Sequence, residues 1–248
     1  MLPSDLRQAE SQALAALHSA LGSTANGRWT VELRFEGLRL LPLSLRLAES
    51  LRGEGRDLRL LCPDAGATAL ARRDHGSLAP LIASLADHRR LQEKGQDPSA
   101  ARSEEALPSQ LEEPAQPPLL LLVGPSPADY ELVEAVCSAH PGPVVLLNPT
   151  LEDAAVGIGS VARSRRKGFL SVWQAAYALQ PFADSALRRA HPGDWELYRL
   201  DADGFRLAGH FPQKPSSEEQ AEALSGESPG SLRQQLRGLT DLIDNLQR

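Results

Sequence analysis

Leu119-Leu-Leu-Leu-Val123, then Ala128-Asp-Tyr-Glu-Leu-Val-Glu-Ala-Val-Cys-Ser-Ala139, then Val144-Val-Leu-Leu147: these neighbouring segments decide the fold. The outer two are uninterrupted aliphatic runs of strand length. The middle one spaces its apolar residues as one face of a helix. A strand that is apolar at every position is buried on both faces. In a strand–helix–strand series that means a parallel sheet covered by helices on both sides. The predicted fold class is therefore α/β, an open, mainly parallel sheet.

Working toward the N-terminus, the same grammar recurs. Ser4 or Asp5 can cap a helix carrying Leu6, Ala9, Ala13, Leu17 and Leu21 on one face, ended near Gly22. Trp29 to Phe35 alternates as a strand, placing Trp29, Val31, Leu33 and Phe35 on the buried side and Glu32 on the less buried one. Glu32 reads as a surface ion-pair partner or a cleft carboxylate. Leu41 to Gly53 is helical. Asp57 to Cys62 is a second strand, halted by Pro63, and Asp64 then caps a helix through Arg73.

Between about 89 and 118 the aliphatics give way to Lys, Glu, Gln, Ser and Pro, which predicts a mobile polar insertion. Toward the C-terminus, Trp195–Leu200 and Phe205–Phe211 flank Asp201-Ala-Asp-Gly204 as a β-hairpin. Ser171 to Phe182 suits a strand or a helix. The reading is a single α/β domain over 1–215, a polar linker at 216–230 and an amphipathic helix at 231–248. In that last helix Leu232, Leu236, Leu239, Ile243 and Leu246 form a narrow stripe that calls for a partner.

Composition excludes more than it identifies. A net charge of −6 argues against general nucleic-acid binding. The two cysteines, Cys62 and Cys137, fall in apolar elements and read as buried free thiols. The first residues run straight into a helix signal without an apolar signal region, and the longest aliphatic run is too short to span a bilayer. The six histidines show no metal-ligand spacing, so neither metal nor cofactor is expected. There is no phosphate-cradling GxxxxGK[ST] loop, and Ser126 lacks a nucleophile elbow.

Two strand-end elbows are the candidate sites for an anion or a partner. One follows Cys62 and offers Asp64 and Arg73. The other follows Leu147 and offers Asn148, Gly157, Gly159, Arg163 and Arg166. Ligands in open α/β sheets collect at strand carboxyl ends, and glycine turns with clustered cations suit anions. Gly157-Ile-Gly159-Ser-Val-Ala162 matches a dinucleotide fingerprint on paper, but its strand ends about ten residues too early. For each position a plain alternative exists: helix capping for Asp64, a structural elbow for the glycines, and an internal ion pair for the arginines.

Several phrases in order resemble one family: Leu2-Pro-Ser, Val31-Glu32, Pro63 through Arg73, Asn148-Pro149, Gly157-Ile-Gly159 leading to Arg163, Arg166 and Phe169, and Pro192-Gly-Asp-Trp195. Over roughly residues 2–215, apart from the polar insertion, the chain resembles the cyanobacterial and plastid domain-of-unknown-function nineteen-ninety-five family. That family includes low-photosystem-II-accumulation proteins and a domain fused to some plastid adenylate kinases. It has no established catalytic residues to transfer. The resemblance implies a non-enzymatic binding protein that assists photosystem II biogenesis. Its partner would be a photosystem II subunit or assembly intermediate, met from the cytoplasm or stromal side, with peripheral contact at the thylakoid membrane. The alternative is a regulatory domain that binds a nucleotide or phosphometabolite at the two elbows.

Overall fold

The computed structural model describes residues 1–95, 117–151 and 160–225. Their framework is one nine-stranded sheet in the order β3-β2-β4-β5-β1-β6-β7-β8-β9. Strands β1 (Arg28–Leu33), β2 (Leu58–Cys62), β3 (Ile82–Ser84), β4 (Leu119–Val123), β5 (Val144–Leu147) and the start of β6 (Gln174–Pro181) are parallel. From β6 onward the chain turns antiparallel through β7 (Ser185–Ala190), β8 (Trp195–Asp201) and β9 (Gly204–Phe211). The α/β reading and the hairpin thus hold, and the segment from Ser171 to Phe182 is mostly strand.

The path of the chain explains the two helical layers. From β1 it steps toward β3 through α2 (Leu40–Gly53) and α3 (Ala65–Asp74), then returns through α4 (Leu85–Glu93), α5 (Tyr130–Ala139) and α6 (Ser160–Ser171). Right-handed crossovers running in opposite directions must lie on opposite faces. Accordingly α1 (Leu6–Ser23), α2 and α3 pack on Val31, Leu33, Leu60, Leu121 and Val145, while α4, α5 and α6 pack on Leu61, Leu120, Leu122, Val144 and Leu146. Odd and even residues of each strand feed different cores, which is why those runs are apolar throughout.

Local chemistry fixes the helix starts. The Asp5 carboxylate accepts from the Gln8 N–H at 2.8 Å, and that of Asp64 from the Ala67 N–H at 2.8 Å. Each such cap contributes about 1 kcal/mol. Arg28, at the start of β1, fans its guanidinium over carbonyls at the end of α5, donating to Cys137 at 3.1 Å, His140 at 2.9 Å and Gly142 at 2.8 Å. A cation at a helix C-terminus answers the unpaired carbonyls there. Burial still lowers the Arg28 pKa, against the raising influence of Cys137.

Two expectations are corrected. The polar stretch expected at about 89–118 opens inside α4, which runs to Glu93; residues 96–116 of it lie outside the described residues. The spacer expected at 216–230 begins as a helix, α7 (Ser217–Ser225). There the Ser216 N–H donates to the Glu219 carboxylate at 2.7 Å and the Glu219 N–H to the Ser216 hydroxyl at 3.2 Å, a reciprocal cap. Ala223 and Leu224 then pack beside Ala175, Ala178, Leu187, Trp195 and Leu197. Glu32 does lie on the less buried face of β1, 9% exposed where Val31 is 1% and Leu33 0%, on a strand set mid-sheet between β5 and β6.

Candidate functional site

Adjacent strands β5 and β1 send their following helices to opposite faces, so the crevice between their carboxyl ends is a topological switch point. Side chains close it. Asn148, with φ +47°, extends the ladder past the end of β5: its Oδ1 accepts from the Leu33 N–H at 2.7 Å and its Nδ2 donates to the Leu33 carbonyl at 2.7 Å. Asparagine tolerates this left-handed backbone better than most residues. One residue on, Arg34 Nη2 donates to the Pro149 carbonyl at 2.5 Å and to Glu32 Oε2 at 3.1 Å. Gln180 Nε2 also donates to Glu32 Oε2 at 3.0 Å, and the Thr30 hydroxyl donates to Oε1 at 3.3 Å. Glu32 is thus a cleft carboxylate whose charge Arg34 already answers.

The other predicted positions scatter. Asp64 caps α3, and Arg73 donates to its exposed neighbour Asp74 at 2.7 Å. Both belong to the end of β2, which β4 separates from β5. Arg166 sits with its guanidinium carbon 4.6 Å from the Tyr130 ring centroid and Nη2 3.7 Å from Glu131 Oε1. Gly157 and Gly159 lie outside the described residues, as do the Arg163 side chain and the stripe Leu232, Leu236, Leu239, Ile243 and Leu246.

Two concavities flank the stitched crevice. The first, of about 560 Å³, lies on the α5 face between α6 and the antiparallel strands. Glu32, Thr30, Pro149 and Leu151 form one wall; Leu170, Trp173, Arg189, Trp195 and Lys214 line the rest. Arg189 and Lys214 both approach the Trp195 ring, at 5.9 Å and 5.8 Å from its centroid. Burial lowers the Arg189 pKa, partly offset by Asp194. Sequence reading missed this constellation: Arg188-Arg189 resembles a solvated pair, and β7 carries too little apolar pattern to announce a strand.

The second concavity, of about 640 Å³, opens on the α1 face between the N-terminal segment, the β1–α2 connection and the hairpin. Leu6, Leu38, Pro42, Leu179, Ala186 and Phe205 make it apolar. Cross-strand pairing of Leu200 with Phe205 and of Tyr198 with Leu207 puts those four side chains on the same face. Leu200, Phe205 and Leu207 are each about half exposed, so the apolar surface continues outward from the groove. Single exposed apolar residues are ordinary, whereas these three share one face beside a groove.

Among the described residues no group of His, Cys, Asp and Glu could hold a metal ion, and no helix is long and apolar enough to cross a membrane. A family profile described as "Domain of unknown function (DUF1995)" matches residues 3–222. No curated protein matches the chain.

Proposed function

The chain belongs to the DUF1995 family, and from that membership we propose that it is a non-enzymatic binding protein that assists photosystem II biogenesis. One observation supports a binding role above the others: the apolar groove that runs onto the bare hairpin face at Phe205, Leu207 and Leu200. The partner is an apolar segment of a photosystem II subunit or assembly intermediate, met from the cytoplasmic or stromal side of the thylakoid. Such a segment would be insoluble by itself, and a groove of this kind covers it until assembly.

The test is a deletion strain complemented with the wild-type chain or with Phe205→Asp/Leu207→Asp. Both positions are half exposed, so the fold tolerates the charges. The expected result is slow accumulation of photosystem II in the deletion strain, restored by the wild type and not by the double variant. A normal assembly rate without the protein overturns the proposal. The alternative, a regulatory domain with its ligand at the strand-end elbows, has less support: Asp64, Arg73, Asn148 and Arg166 all have intramolecular partners.

A further inference from the structure

We propose that the cavity on the α5 face is a binding site for a small organic anion, its charged group held between the Arg189 guanidinium and the Lys214 ammonium, its apolar body against Leu151, Leu170 and Trp173.

Volume and wall chemistry agree on this. A space of about 560 Å³ falls within the ordinary range for ligand pockets, roughly 300–1,000 Å³. Its walls combine indole and aliphatic surface with a few convergent polar groups, as small-molecule sites do. Arg189 and Lys214 converge on one indole of that wall, 5.9 Å and 5.8 Å from the Trp195 ring centroid. For Arg189 the described contacts are the Trp195 ring and the pull of Asp194. A ring face attracts a cation but accepts no strong hydrogen bond in place of a carboxylate or phosphate.

The sign of the ligand follows from which charges are already answered. Glu32 accepts from Thr30, Arg34 and Gln180, so its carboxylate is neutralised within the protein. Lys214, on the exposed segment after β9, has the Trp195 ring as its described contact. The charge left facing the cavity is positive.

Two of the three tryptophans line this space, so their emission reports on its occupant. The probe is 1-naphthyl phosphate titrated into the full chain, with neutral 1-naphthol and inorganic phosphate as comparisons. Saturable quenching is expected, with 1-naphthol at least tenfold weaker and inorganic phosphate competing. Arg189→Gln/Lys214→Gln should weaken binding at least tenfold, while Phe205→Asp, in the opposite groove, leaves it unchanged. Should Arg189→Gln fail to fold, Lys214→Glu alone carries the test, since Lys214 is exposed; at least threefold weakening is expected. Equal affinity for the wild type and the charge variants, equal binding of naphthol, or non-saturable quenching each overturns the site. None of these outcomes bears on the partner groove, which lies on the other face of the sheet.

Discussion

Asn148 satisfies both backbone hydrogen-bonding groups of Leu33 with a single side chain, at 2.7 Å in each direction, just where β5 ends. The amide stands in for the next residue of a parallel strand and seals the crevice in which open α/β sheets usually place a ligand. Two concavities lie on either side of the seal, one mainly polar and one mainly apolar.

Replacing Asn148 with alanine removes two buried hydrogen bonds and orphans the Leu33 N–H and C=O. The expected loss is about 2–4 kcal/mol in equilibrium unfolding by denaturant. Asn148→Asp keeps an acceptor for the N–H but presents a carboxylate to the Leu33 carbonyl, so it should be no better. A loss below about 1 kcal/mol for the alanine variant would show that the crevice is held mainly by its backbone ladder.

The two thiols should be inert in the native protein. Burial pushes Cys137 up to about 12 and also raises Cys62, against the lowering influence of Thr68 and Arg72 on the latter. Because the thiolate is the reactive form, labelling at pH 8 should proceed only as fast as the protein opens. Both cysteines should react at once in denaturant. Rapid stoichiometric labelling of the folded chain would contradict the burial of these residues.

Acid should destabilise the hairpin region through Glu196. Burial alone would raise its pKa, but hydrogen bonds from Tyr198 at 2.8 Å and Arg188 at 2.6 Å outweigh that and hold the carboxyl below its ordinary value. A carboxyl with a depressed folded-state pKa stabilises the fold above its unfolded pKa, about 4.3 for glutamate, and loses that contribution as pH falls through the folded value. Glu196→Gln should therefore melt below the wild type at pH 6, with the gap narrowing toward pH 3. A gap independent of pH would assign the effect to packing.

Legibility followed how local the determinants are. Aliphatic runs such as Leu119–Val123, the caps Asp5 and Asp64 and the Asp201–Gly204 turn, where Gly204 adopts φ +123°, carry their structure in adjacent residues. β7 was not legible, because Ser-Ala-Leu-Arg-Arg-Ala becomes a strand only between β6 and β8. Arg188 finds its partners outside the strand: it donates to Gln12, distant in sequence, at 3.1 Å and to Glu196 on β8 at 2.6 Å. The cavity on the α5 face joins residues from Thr30 to Lys214, so no spacing rule could assemble it. Pro192-Gly-Asp-Trp195, visible as a family phrase, was the one local hint, since it delivers Trp195 to that wall.

The C-terminal stripe supplies the last prediction. Leu232, Leu236, Leu239, Ile243 and Leu246 recur at steps of four and three, a seam narrower than the stripe of a helix that lies on a sheet. The sheet face nearest in the chain is already covered, because α7 packs Ala223 and Leu224 beside Trp195 and Leu197. The described clusters form without the stripe, so ending the chain at Ser225 should leave the melting temperature within about 2 °C, the lower edge of the shift that a 1 kcal/mol change gives a domain of this size. If the proposed function holds, what should disappear is retention of photosystem II subunits on the immobilised protein, read with antibodies against those subunits. A drop in melting temperature would place the stripe on the domain itself, against the groove at Phe205. Loss of a dimer in sedimentation would pair it with a second copy. If truncation changes none of the three, the stripe is not a docking element.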